Sequence, residues 1–294
     1  MRSVKIVALL SKDYKEYREA LEGFRKALSD SNIRYDITLI NNMEDDVSIA
    51  KLVNDIRNNN PDLILAIGSR ALYKINTYIK DIPIVFSMVL NPNTNNSKNT
   101  RLTNNGNITG VTLSIPVRKQ FAIFKEILPN LITIGVIYSP EENGKLVEEA
   151  KSALKQLNID LIAADVKGER EVPKTLNYLI NVVDAIWIIV DNAVNSVESM
   201  RNIILESVRN DIPVMGPSEK YVKAGATFAV SADYESIGMQ SGEMAIKILN
   251  GKQPSSLPIE YPQDFVIYIN EKITNWIGLK IPDKILNNSI KISK

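Results

Sequence analysis

The side chains best placed to do chemistry fall in short polar clusters, each at the end of an apolar run. They are Ser11 after Val4–Leu10, Gly68-Ser69-Arg70 after Leu63–Ile67, and Ser87 near the end of Ile84–Val89. Further on come Tyr138-Ser139 after Ile132–Ile137, Asp191-Asn192 after Ala185–Val190, Gly216-Pro217-Ser218 after Ile212–Met215, and Asp233-Tyr234 after Ala226–Val230. Hydroxyls, amides and acids dominate, and Lys is scarce. Helices begin beside most of these clusters, so free backbone N–H groups there favour an anionic group such as a carboxylate. Two acids, Asp191 and Asp233, suit an ammonium group. Covalent and metal chemistry are poorly supplied. The chain has no His and no Cys, which removes zinc fingers, iron–sulfur clusters, thiol nucleophiles and Ser-His-Asp triads. Neither a G-x-G-x-x-G nor a P-loop is present, and no EF-hand spacing occurs. The expectation is a binding protein and not an enzyme, with no cofactor and no metal.

Most of these residues also have a local role open to them. Ser139-Pro140-Glu141-Glu142 fits a capping box, with Pro at the first helical position and Glu three residues after Ser. Asp233 reads equally as the cap of a helix starting at Glu235 and as a ligand contact. Ser11 and Ser69 are plausible caps too. Asp191 differs, because it directly follows a buried run while the cap of the next helix falls later, at Asn195 or Ser196. Its position points to a ligand. Tyr14, Tyr138 and Tyr234 lie near strand ends, where they could flank a ligand ring. Asp45-Asp46 and Glu148-Glu149 read as solvated helix faces.

The elements that must position these residues alternate. Continuous apolar strands at Val4–Leu10, Tyr35–Ile40, Leu63–Ile67 and Ile84–Val89 are separated by amphipathic helices at Tyr14–Leu28, Val47–Ile56 and Ala71–Ile79, which predicts a parallel sheet covered on both faces. Residues 91–107, with eight Asn, read as a polar surface loop. After a strand at Ile108–Ile115 the alternation restarts: helices at Phe121–Leu128, Lys145–Leu157, Val172–Val182 and Val197–Val208 alternate with strands at Ile132–Ile137, Asp160–Ala164, Ala185–Val190 and Ile212–Met215. The halves match. Ser11 corresponds to Ser139, Asn32-Ile33 to Asn158-Ile159, Asp62-Leu63 to Asp184-Ala185, and Ile82-Pro83 to Ile212-Pro213, at offsets between 122 and 130 residues. The fold class is therefore α/β, with two doubly wound parallel-sheet lobes. A last segment, with a strand at Ala226–Val230, a helix at Ile237–Leu249 and a strand at Phe265–Ile269, completes both. The expected lobes are 1–115 plus about 234–257, and 116–233 plus about 258–294. They are joined by a hinge of several crossings, with a ligand cleft between them.

With 294 residues, 45% of them apolar, the chain can bury two cores. A net charge of +1 argues against a nucleic-acid partner. No apolar run reaches the roughly 18 residues of a membrane span. Met1-Arg2-Ser3 leads straight into a strand and is too short for a signal peptide, so either the protein is cytoplasmic or an export signal is absent from this sequence.

Several short motifs, taken together in order and spacing, resemble a known family. They are Asn107-Ile108-Thr109-Gly110-Val111, Leu128-Pro129, Ile134-Gly135-Val136-Ile137-Tyr138, Val183-Asp184-Ala185-Ile186, Asp191-Asn192, Lys223-Ala224-Gly225-Ala226, Asp233-Tyr234, Gly238, Met244-Ala245, Ile248-Leu249-Asn250-Gly251, Ile269-Asn270, and Gly278 with Ile281-Pro282. Over nearly the whole chain the sequence is similar to solute-binding proteins of ABC transporters of the tryptophan/tyrosine-binding type, which have a type I periplasmic-binding-protein fold. The resemblance implies a periplasmic or membrane-anchored extracellular protein, exported by a signal and in part of the family lipid-anchored. It implies that a small organic solute, an amino acid or a related compound, is captured between two lobes and delivered to an ABC transporter permease by a monomer. It implies ligand contacts at Ser11, Tyr14, Ser69, Arg70, Ser87, Asn91, Tyr138, Asn143, Asp191, Asn192 and Asp233. Asn91 stands where the family often has Asp, and Gly144 where it often has Ser, both beside the ligand head group. The alternative on the same fold is a ligand-sensing domain of a signalling or regulatory system.

Overall fold

The computed structural model describes residues 3–31, 33–41, 48–90, 92, 106–194 and 196–293. The elements run β1 (Val4–Leu10), α1 (Lys15–Asp30), β2 (Tyr35–Ile40), α2 (Ile49–Asn58), β3 (Leu63–Ile67), α3 (Ser69–Ile75), β4 (Ile84–Val89), β5 (Ile108–Thr112), α4 (Val117–Ile127), β6 (Thr133–Tyr138), α5 (Pro140–Lys155) and β7 (Asp160–Asp165). After a short 3-10 turn follow α6 (Val172–Leu179), β8 (Ala185–Trp187), α7 (Val197–Arg209), β9 (Val214–Gly216), α8 (Glu219–Lys223), β10 (Phe228–Ala232), α9 (Tyr234–Leu249), β11 (Phe265–Asn270), α10 (Glu271–Trp276), α11 (Asp283–Asn287) and β12 (Ser289–Ile292). The chain divides into two compact units, Met1–Ile115 with Ala232–Asp264, and Pro116–Ser231 with Phe265–Lys294.

The first unit holds a five-stranded sheet in the order β2-β1-β3-β4-β5, with every neighbouring pair parallel. Its strands are apolar without alternation because helices cover both faces, and residues 63–67 and 84–89 are buried throughout. On one face α9 packs against α1, β4 and β5. Glycines let the two helices meet backbone to backbone: a Cβ on Gly238 would lie 2.0 Å from the Ala20 carbonyl oxygen, and one on Gly23 would lie 2.0 Å from the Glu235 oxygen.

The second unit holds a seven-stranded sheet, β12-β11-β10-β9-β8-β6-β7. Its run β7-β6-β8-β9-β10 repeats the strand order of the first sheet. Edge-to-face pairs join its layers, Phe121 with Trp187 at 4.9 Å and Phe124 with Phe228 at 5.0 Å between ring centroids.

The structure shifts two expected boundaries. Residues 258–264, expected in the second lobe, go with the first unit, because Thr112 N–H donates to Glu260 O at 2.9 Å and Glu260 N–H donates to Gly110 O at 3.0 Å, extending the edge at β5. Ala232 and Asp233, also expected in the second lobe, go with the first, where Asp233 caps α9. The repeated acid plays the same part in both halves. Lys5 N–H donates to Asp62 Oδ2 at 2.9 Å, and Ile132 and Thr133 N–H donate to Asp184 Oδ2 at 2.9 and 2.7 Å. In each unit, the acid before the third strand of the repeat fastens the start of the first. The elements α8, α10, α11 and β12 were not legible from periodicity because each is at most six residues long. Val47, at the expected start of the second helix, and most of the Asn-rich stretch lie outside the described residues.

Candidate functional site

In open parallel sheets a crevice forms at the carboxyl ends of the strands where the winding reverses, and for the order seen here that point lies between the first and third strands of the repeat. In the first unit it lies between β1 and β3. Ser11 is buried there, and its hydroxyl accepts from Ala71 N–H at 2.9 Å, while its own N–H donates to Ile67 O at 2.9 Å. Ser11 therefore satisfies a free donor in the first turn of α3 and not of its own helix. Ser69 is not a cap but the first residue of α3, with Gly68 in the cap position at φ +85°. That conformation favours glycine, and the space is closed as well, since a Cβ there would meet Ser11 Oγ at 2.6 Å and the Tyr17 hydroxyl oxygen at 2.7 Å. Arg70 is half-buried beside it.

Tyr17, which sequence reasoning placed among ordinary helix positions, stands at this reversal with its hydroxyl oxygen over Gly68. Its ring lies 5.8 Å from that of Tyr14, which is 49% exposed, and Lys12 Nζ stands 5.5 Å from the Tyr14 ring centroid. Burial, with Tyr14 and Glu16 nearby, pushes the Tyr17 hydroxyl above the usual tyrosine range, so it stays neutral. The signal that could have found it is its position in the first turn of α1, three residues after Tyr14.

Ser87 is fully buried, and its hydroxyl has no hydrogen-bond partner among the described residues. The next residue, Met88, has φ +58°, and the register of β4 against β5 slips between Ser87 and Val89. A bulky residue in the left-handed region is strained, and a bulge at a strand end re-aims its neighbours. Nothing in Ile84–Val89 announces this, since the usual marker of such a bulge, glycine, is absent. Asn91 lies outside the described residues.

In the second unit the reversal lies between β6 and β8. Regular pairing of β8 ends at Trp187, although Ile188 N–H still donates to Met215 O at 2.9 Å. The chain then carries Asp191 under the start of α5. Asp191 is 0% exposed. Its Oδ2 accepts from Ser139 N–H at 2.7 Å and Asn143 Nδ2 at 2.8 Å, and its Oδ1 accepts from Ala193 N–H at 2.9 Å. The carboxylate is thus satisfied inside the unit, as a buried charge must be, and is not directed outward at a ligand cation as the strand-end position suggested. The expected capping box at Ser139 does not form. Ser139 occupies the cap position without a side-chain cap bond. Its N–H is taken by Asp191, and Glu142, which should reach back to it, instead accepts from Asn192 N–H at 3.0 Å. Two local partners are replaced by two tertiary ones. Tyr138 is half-buried and Asn192 is exposed on the same strand ends.

Asp233 belongs to the first unit and caps α9, its Oδ1 accepting from Ser236 N–H at 3.0 Å. Ser196 caps α7 through Ser199 N–H; Asn195 lies outside the described residues. Among the described residues no group of three or more Asp or Glu side chains could hold a metal ion, and no helix is long and apolar enough to cross a membrane.

Within each unit, then, polar side chains gather at the carboxyl-end reversal of a doubly wound sheet. The chain shares this architecture with solved substrate-binding proteins. A ligand-free, open structure of a substrate binding protein with adhesive properties from Clostridium difficile matches with a TM-score of 0.79 at 26% identity, covering 99% of both chains. An ABC domain from Streptococcus pneumonia in complex with L-Trp matches in fold, with a TM-score of 0.71 at 24% identity over 99% of this chain and 100% of that one. In sequence the chain is 30% identical over 263 residues to the tyrosine-binding protein of Clostridioides difficile (strain R20291), spanning 86% of this chain and 74% of the relative. It is 27% identical over 270 residues to an uncharacterized protein of Rickettsia prowazekii (strain Madrid E), spanning 91% and 83%. The profile of the ABC transporter substrate binding proteins matches residues 3–292, and the chain belongs to that family.

Proposed function

We propose that the protein captures a free aromatic amino acid, tyrosine first among them, and delivers it to an ABC transporter permease outside the cytoplasm. Family membership supplies the transport role, and the tyrosine-binding relative supplies the ligand class. The observation that carries the reading is the gathering of uncharged donors and acceptors at both strand reversals. Ser11, Tyr17 and Ser87 stand at one, and Asn143, held by Asp191, stands at the other. In the first unit the buried hydroxyl of Ser87 lacks a partner among the described residues, one that a bound polar group would supply, and the Tyr14–Tyr17 pair offers a ring to an aromatic side chain. Ligand contacts at Ser69, Arg70, Asn91, Tyr138, Asn192 and Asp233 belong to the same reading. So do an export signal, a lipid anchor and a monomeric state.

Calorimetry on protein unfolded and refolded to remove carried-over solutes tests it, using tyrosine, tryptophan, phenylalanine, aliphatic amino acids and sugars. Aromatic amino acids should bind and raise the unfolding temperature, since ligand at 100 times its Kd adds about 2.7 kcal/mol. Binding of sugars, with none of the aromatic amino acids, would overturn the ligand class.

A further inference from the structure

Trp276 is the most exposed of the large apolar side chains among the described residues, at 74%, whereas the other tryptophan, Trp187, is 3% exposed. It ends α10, which packs against β11 and β12. Its exposure is not the fraying of a loose helix end. Gly278, at φ +65°, donates its N–H to Asn275 O at 3.3 Å, and Leu279 N–H donates to Thr274 O at 2.8 Å. These are the two bonds of a Schellman finish. With Ile277 N–H on Ile273 O at 3.0 Å, three carbonyls that end the helix are held within the chain. Beside the ring, Ile277, Leu279 and Ile281 are half-buried, and Lys272 and Lys280 are exposed. Lys272 precedes Trp276 by four residues and so shares its side of the helix. Four lysines lie between residues 271 and 293. Lys284 meets Glu126 and Lys291 meets Glu271, both at 3.5 Å, while Lys272 and Lys280 have no ion pair among the described residues. The two lysines on either side of the tryptophan are thus the two left unpaired.

We propose that this end of α10 is a contact site for the headgroup region of an anionic phospholipid bilayer, with Trp276 entering the interface and Lys272 and Lys280 meeting lipid phosphates. Tryptophan favours that region because its body is apolar while its N–H still finds a polar partner. Each lysine close to an anionic surface adds attraction. A helix end whose carbonyls are already bonded loses little when water leaves it. The charge favours lipid over a second copy of the chain or another protein. Lysine is depleted from protein interfaces, whereas an anionic bilayer takes both lysines without needing matched acids. One ring and two charges give weak, reversible attachment and not a permanent anchor. The inference stands apart from the amino-acid reading and holds whichever solute the protein carries.

The test uses the whole chain with vesicles of phosphatidylcholine alone and of equal parts phosphatidylcholine and phosphatidylglycerol. The protein should sediment with the second kind only, and less as salt rises. Because Trp187 is buried, the emission that moves to shorter wavelength and is quenched by brominated lipid should be that of Trp276. Trp276→Ala should bind about tenfold more weakly. Lys272→Gln and Lys280→Gln should each weaken binding about fivefold. Lys15→Gln, at an exposed lysine of the first unit, should stay within about twofold of wild type. All these side chains are exposed, so the melting transition by circular dichroism should not move. Four results overturn the proposal: no sedimentation with either vesicle at low salt, equal sedimentation with both, wild-type binding by Trp276→Ala, or a loss in Lys15→Gln as large as in Lys272→Gln. A shift in emission that grows with protein concentration without lipid would also overturn it, by marking a surface for self-association.

Discussion

The two units wind the same five strands in the same order, yet they fasten their strand reversals differently. In the first, the fastener is neutral: Ser11 Oγ holds Ala71 N–H, with the Tyr17 hydroxyl above Gly68. In the second it is a buried carboxylate, Asp191, holding Ser139, Asn143 and Ala193. A hydroxyl can satisfy one neighbour and remain soft; a carboxylate binds several donors and makes the loop depend on one residue. Their outer layers differ too. The first unit relies on a glycine seam between α1 and α9, whereas Gly144 on α5 of the second has nothing within 4 Å of where a Cβ would stand. One architecture thus tolerates two solutions, with different vulnerabilities.

The contrast can be broken most severely at the seam. Gly238→Val puts its branched side chain against the Ala20 carbonyl, which cannot move without its helix. Overpacking usually costs about 1–3 kcal/mol, and with backbone as the obstacle the first unit should lose its cooperative transition in circular dichroism. Both tryptophans, Trp187 and Trp276, lie in the second unit, so a tryptophan fluorescence transition that disappears as well would show that the units do not unfold separately.

Asp191→Ala comes next. It strands three N–H donors, at about 1–3 kcal/mol for a buried unsatisfied group, and should lower stability by roughly 3 kcal/mol in the fluorescence-detected urea transition. Ser11→Ala removes one neutral acceptor and should cost about 1 kcal/mol, seen by circular dichroism. If the two substitutions cost the same, the distinction between hard and soft fasteners fails.

Gly144→Ala should be neutral or add up to about 1 kcal/mol, as alanine does for glycine inside an open helix. A loss there would mean that α5 also hides a tight contact.

The smallest effect concerns Asp184. Burial pulls its carboxyl upward, but the N–H groups of Thr133 and Ile132 and the Thr133 hydroxyl outweigh it and hold the carboxyl below the usual carboxylate range. Its folded pKa is thus lower than the unfolded value of about 3.9. The stabilisation is full above that value and is lost as pH falls below it. Stability of Asp184→Asn should therefore trail the wild type near neutral pH and converge with it on acidification below about pH 4. A constant gap across that range would mean that the charge plays no part.

The sequence by itself determined the alternation, the doubling and the family. These rest on local information, apolar runs bounded by turns and an acid such as Asp62 or Asp184 in the same place twice, and local order survives into the fold. It also placed Ser11, Ser87 and Asp191 at strand ends, because a strand end is where an apolar run stops. What it could not decide was which partner each polar group takes. Ser139 and Glu142 satisfy every local rule for a capping box, yet Asp191 and Asn192, about fifty residues away, take both halves of it. Met88 carries no mark of the bulge that forms around it, where the register of β4 against β5 slips. Tyr17 looks like any helix residue until Gly68 folds beneath it. Only tertiary structure decided these, because a buried donor binds whichever acceptor the packed chain brings to it, and competition among several good partners is settled by geometry that sequence separation does not encode.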